Sequence, residues 1–237
     1  WEVATSETVA DCLNSGSSVN TRDEGGHTPL FLAALYNENP EVLTVLLEAG
    51  ADVNVRAESG STPLHGTAYG DNPEVLTVLL NSGADVNARN AHGRTPLFNV
   101  FVINSVANFL AIGDAKRFVK TEVLTMFLEA GAELEEIDVK GMSMLHFSVT
   151  ETENPEALIA LIGAGANVNV VDIFGQTPLH QAAERNENPE FISVLLAAGA
   201  DGAITDRWGR TPFDIAKENE ALVGTDVYWA LNDARFE

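Results

Sequence analysis

Cysteine is almost missing from this chain of 237 residues: Cys12 stands alone. That count excludes an intramolecular disulfide and a multi-cysteine zinc site. Cations are scarce too, with 13 Lys and Arg against 35 Asp and Glu, for a formal net charge of −22. Sequence-independent binding to DNA or RNA depends on cations that displace counterions, so no nucleic-acid partner is expected. Anionic membrane surfaces are disfavoured for the same reason. No apolar run approaches the roughly 20 residues that cross a bilayer, so membrane insertion is not expected either. The chain begins at Trp1 rather than an initiator methionine. It reads as a processed or truncated product, and the lack of a targeting segment carries little weight. A cytoplasmic setting is the default expectation, with a secreted or periplasmic one after signal removal as the alternative.

Catalytic signatures are missing as well. The sequence has no H-E-x-x-H, no G-x-S-x-G, no P-loop and no G-x-G-x-x-G. The stretch Asp201-Gly202-Ala203-Ile204-Thr205-Asp206 is like a calcium loop only superficially, because it lacks alternating ligands and a final Glu. What is present is enough apolar material for a core, 45% of residues, in a length that suits one or two domains.

The apolar material is periodic. A T-P-L-like block starts at Thr28, Thr62, Thr95, Ser143, Thr177 and Thr211, at intervals of 34, 33, 48, 34 and 34 residues. Glycines followed by a small residue, Gly16, Gly50, Gly83, Gly131, Gly165 and Gly199, keep the same intervals. Each repeat reads as two helices. Thr caps the first and Pro opens it. Asn-Pro-Glu, as at Asn39-Pro40-Glu41 and Asn72-Pro73-Glu74, does the same for the second. Apolar residues at Val42, Leu43, Leu46 and Leu47, and again at Val75, Leu76, Leu79 and Leu80, lay one helix face against a neighbouring layer. The glycine then ends the helix in the left-handed conformation. One repeat leaves an apolar side uncovered, and stacked repeats cover it, which predicts an all-α solenoid.

These residues resemble the ankyrin-repeat family. The resemblance rests on G-x-T-P-L-H-x-A-A, matched by Gly175 to Ala183, and on L-L-x-x-G-A-x-V-N, matched by Leu79 to Asn87. It extends over nearly all of 1–237 and implies a single domain of paired antiparallel helices with projecting hairpin-like fingers, about seven repeats counting both caps. A truncated first repeat covers 1–22. Full repeats cover 23–56, 57–89, 90–137, 138–171 and 172–205, and a C-terminal cap covers 206–237. The 48-residue step places an insertion near 103–120, between the two helices of the third repeat. Two readings of it stay open: an extra contact element, or a self-packed elaboration.

The resemblance implies a non-catalytic protein–protein interaction scaffold, which binds a partner through fingers and concave groove. The alternative is a structural or regulatory domain of a larger protein whose catalytic or channel part lies outside this chain. No cofactor, metal or small-molecule substrate is expected, and the expected state is a monomer. The candidate partner-binding residues are Tyr36, Tyr69, His92, Arg94, Lys140, Met142, Phe174, Arg185, Trp208 and Arg210. Aromatic and Arg side chains are the usual interface anchors. For the aromatics the alternative is local packing between neighbouring fingers. Arg56 and Arg89 are read as further cations on the finger and groove side. His65, His146 and His180 recur a repeat apart, which suits hydrogen bonds to finger backbone better than convergence on a metal. Cys12 falls in the apolar stripe of the first repeat beside Val9 and Leu13, and is expected in the core.

Overall fold

The computed structural model describes residues 4–37, 39–68, 72–101, 121–153, 155–185 and 188–236. They fall into two compact units, the first over 4–101 and 122–132 and the second over 133–236. In the first unit lie α1 (Ser6–Asn14), α2 (Pro29–Tyr36), α3 (Pro40–Glu48), α4 (Pro63–Gly66), α5 (Pro73–Asn81), the described part of α6 (96–101) and α7 (Thr121–Glu129). The second holds α8 (Met144–Glu151), α9 (Glu156–Gly163), α10 (Pro178–Arg185), α11 (Glu190–Ala197), α12 (Pro212–Ala216) and α13 (Asp226–Asp233). No strand forms among the described residues, only an isolated antiparallel bridge between Ile137 and Ser143.

Several helices start where the sequence caps them, whereas α9 and α11 start one residue later, at Glu156 and Glu190, after a proline that makes no side-chain cap bond. The Thr28 hydroxyl accepts the Phe31 N–H at α2, and the Asn39 and Asn72 side chains accept the N–H groups of Glu41 and Glu74 at α3 and α5. Each such cap contributes about 1 kcal/mol. Gly50, Gly83, Gly131, Gly165 and Gly199 all have positive φ, where other residues would be strained.

Within each unit the helices form pairs, α2 with α3, α4 with α5, α8 with α9 and α10 with α11, and successive pairs stack. The second helices bury one register: Val42, Leu43 and Leu46, then Val75, Leu76 and Leu79, then Val123, Leu124 and Phe127. Leu47 and Leu80 are only half-buried. In the second unit Ala157, Leu158 and Leu161, then Phe191, Ile192 and Leu195, hold the same places.

Cys12 departs from expectation: it is exposed, while Val9 is buried and Leu13 half-buried. The stacking of α1 on α3 covers only one side of α1, so the residue three beyond Val9 points outward. A different departure explains a sequence irregularity. Gly202 stands where other repeats have Val, because a Cβ there would meet the Cβ and carbonyl oxygen of Ala234 at 2.8 Å. The end of α13 fills that space.

Candidate functional site

Between repeats the chain makes a tight finger. In the second unit the Gly175 N–H donates to the Asp172 carbonyl (3.0 Å) and the Asp172 N–H to the Gln176 carbonyl (2.9 Å). The Asp172 carboxylate then accepts the N–H groups of Phe174 and Gln176 at 2.8 and 2.9 Å. Asp23, Asn90, Asp138 and Asp206 close their own fingers in the same way. At the second finger Ala57 replaces the acceptor, and the Ser59 hydroxyl takes the Ser61 N–H instead. Neighbouring fingers are tied by backbone: Glu58 N–H to Gly25 carbonyl and Ala91 N–H to Ser59 carbonyl in the first unit, Ile173 N–H to Lys140 carbonyl and Arg207 N–H to Phe174 carbonyl in the second. The finger tips are therefore preorganised, which lowers the entropy lost when something binds them.

The recurrent histidines hold this frame. His65 Nδ1 accepts the Thr62 N–H at 3.1 Å, so its remaining proton is on Nε2, which donates to the Arg94 carbonyl at 2.9 Å. His146 links Ser143 to the Gln176 carbonyl, and His180 links Thr177 to the Arg210 carbonyl, by the same two bonds. Each imidazole thus spans from its own helix cap to the next finger. Burial is the main influence on all three and pushes their pKa below the ordinary 6.5. At the corresponding position of the segment 206–237 Asp214 stands in place of His. Its carboxylate accepts the Thr211 N–H and the Lys217 ammonium instead. Hydrogen bonds from Lys217 and Thr211 hold its pKa down at about 2.

The candidate residues divide between the units. Tyr36, at the end of α2, is 55% exposed. His92 is exposed and Arg94 half-buried, both on the third finger of the first unit. Tyr69 and the insertion near 103–120 lie outside the described residues. In the second unit Lys140 is exposed, Met142 half-buried, and Arg185 exposed and paired with its neighbour Glu184 at 3.3 Å. The structure brings Phe174 and Trp208 together, with ring centroids 6.1 Å apart and planes 16° from parallel. Arg210 sits over the Trp208 ring at 5.2 Å and pairs with the buried Asp206 carboxylate at 2.9 Å. The packing between neighbouring fingers that is one reading of the aromatics is present. The two rings pack on each other, yet Phe174 stays 39% exposed and Trp208 64%.

Arg56 is a different matter. Its Nη1 donates to the Gly60 carbonyl and, across a repeat, to the Arg89 carbonyl at 2.7 Å. Arg22 bonds the Gly26 and Arg56 carbonyls, and Arg89 the Gly93 carbonyl. These guanidinium groups staple the fingers of the first unit. Sequence reasoning missed the apolar counterparts in the second unit, Ile137 and Val171, and the tip residues Val139 and Ile173, all exposed. The signal was available in the register, since Ile137 and Val171 occupy the arginine position.

Among the described residues no group of His, Cys, Asp and Glu is placed to hold a metal ion, and no helix is long and apolar enough to cross a membrane. A hollow of about 390 Å³ lies beside α1, lined by Val9, Leu13, Pro29, Leu32 and Leu46 with Arg22, Asp23 and His27 at its polar side. It is largely apolar and holds no acid–base pair beyond the His27–Asp23 contact at 3.1 Å.

The model of ankyrin repeats in three copies matches residues 3–90 and 30–113, and that of ankyrin repeats in many copies matches 159–216. No curated protein matches the chain by sequence. Three solved structures are similar over most of it. The human ASB11 ankyrin repeat domain aligns with a TM-score of 0.74 at 22% identity, covering 97% of this chain and 92% of that one. The ankyrin repeat domain of Bcl-3, a member of the IkappaB protein family, aligns at 0.67 and 26%, covering 92% and 90%. An ankyrin repeat domain from Acinetobacter baumannii aligns at 0.70 and 26%, covering 87% and 97%.

Proposed function

The chain belongs to the ankyrin-repeat family, whose domains are in general protein–protein interaction modules, and from that premise we propose that it is a non-catalytic scaffold which binds a partner protein through its fingers and the first-helix faces beside them. The observation that carries this reading is the pair Phe174 and Trp208. Two large rings stand in solvent on turns held by backbone and aspartate hydrogen bonds, at a cost in exposed apolar surface that folding does not require. Rigid aromatic anchors of this kind supply much of the affinity in protein interfaces. The buried histidines, by contrast, have both ring nitrogens engaged in holding the frame.

Paired affinity capture tests the reading. One bait is the native chain, and the other carries Tyr36→Ala, Phe174→Ala and Trp208→Ala after its melting has been matched to the native. A protein retained only by the native bait is the expected result. Equal retention by both baits would move recognition away from these side chains.

A further inference from the structure

Of the eleven large apolar side chains exposed among the described residues, ten belong to the second unit. Six of these lie on its fingers: Ile137, Val139, Val171, Ile173, Phe174 and Trp208. Val139 is 93% exposed, so packing cannot account for it. The matching positions of the first unit are filled by the stapling arginines and by the exposed Glu24 and Glu58.

Two cations stand among these apolar side chains. Lys140 and Arg207 are exposed at the finger tips of the second unit, and neither is in an ion pair with a described residue. The finger aspartates, Asp138, Asp172 and Asp206, turn their carboxylates onto their own backbone N–H groups. Asp172 and Asp206 are buried there, so Lys140 and Arg207 are the charges that stand out at the tips. Carboxylates of a partner segment can pair with these two cations, which have apolar side chains on either side of them.

Resting on the interaction reading above, we infer that the finger edge of the second unit docks an extended segment of a partner protein in which large apolar residues alternate with carboxylates. Backbone hydrogen bonds join one finger to the next along this edge. Its two rings stand 6.1 Å apart, close to the roughly 6.6 Å between side chains on one face of an extended chain. The apolar side chains receive one face of that segment, and Lys140 and Arg207 receive its acids.

Phage-displayed random dodecapeptides, panned on the full chain and read by deep sequencing, test this. The expected pool is enriched in Asp and Glu together with large apolar residues. Enrichment falls by more than about tenfold on a Phe174→Ala/Trp208→Ala variant. A Lys140→Glu/Arg207→Glu variant turns the selection toward basic apolar peptides. Val139→Ser, at a site with no packing to lose, gives a second measure of the apolar edge free of any folding defect. A basic or purely polar pool overturns the inference. So does an enriched pool that survives all three variants, although the interaction reading then stands and recognition lies elsewhere. A native chain that enriches nothing overturns both.

Discussion

The first unit carries an arginine before each of its fingers, and the second carries Ile137, Val171 and Thr205 at those places. The backbone of the fingers is the same in both, with the same turn and the same bond to the neighbouring finger. In the first unit Arg22 and Arg56 each join two carbonyls a repeat apart, and the tips are acidic, small or, at His92, imidazole. In the second unit the apolar replacements have no donor, stand in solvent, and leave the histidines and aspartates to hold the turns. One frame can therefore be stapled or left open, and the open version presents apolar surface.

The largest effect that would break this comparison lies at the histidines. His146→Ala should cost roughly 3 kcal/mol through lost bonds and a cavity. His65→Ala should cost a similar amount, but the finger it supports, 90–94, is still held by Arg89 at the Gly93 carbonyl. Amide exchange should thus quicken more at Ile173 in the first variant than at Ala91 in the second. Equal quickening would mean the staples do not matter.

Acid acts on the same bonds. The three imidazoles have pKa values lowered from 6.5 by burial, so the unfolded chain takes up protons before the folded one. Their contribution is complete above about pH 6.5 and declines as the pH falls below it. Two of the three are in the second unit, so its finger amides should lose protection first on acidification, as read by hydrogen exchange between pH 7.5 and 5.5.

Arg56→Ala removes two charge-assisted bonds to carbonyls that water can partly re-satisfy, and should lower the unfolding free energy by about 1 kcal/mol in urea. Val171→Ala should stay within about 0.5 kcal/mol. The smallest and sharpest test runs the other way. Val171→Arg places a donor within the register of the Gly175 and Thr205 carbonyls and should stabilise by roughly 0.5 kcal/mol. No gain would show that the arginine needs more of the first unit than its position.

The helix pairs, the glycine stops and most of the caps were legible in the sequence, because each is a local signal repeated at a fixed spacing, while α9 and α11 start one residue past the expected place. Thr28, Asn39 and Gly50 need only their near neighbours to act. The histidines were legible for the same reason, since a residue that recurs at one place in three repeats has one job. Arg56 was placed on the finger and groove side, but its stapling bond was not legible, because its partner carbonyl lies 33 residues on and no local pattern carries that contact. Cys12 was misplaced because the periodic stripe names the side of a helix, not whether another layer covers it. The aromatics Phe174 and Trp208 were found as interface candidates, but Val139 and Ile173 were not, since an isolated aliphatic residue in a turn says nothing until its exposure is known.

The cap-to-finger link through histidine bears on how such a protein can be rebuilt. The helix start that sets the Gln176 carbonyl belongs to one repeat, and the finger that carries Phe174 belongs to the next. A cassette cut at the boundaries of the sequence repeat would part a loop from the side chain that shapes it. Transplants that begin at a Thr or Ser cap and run through the following finger keep the two together. The portable module is offset by about half a repeat from the one the sequence displays.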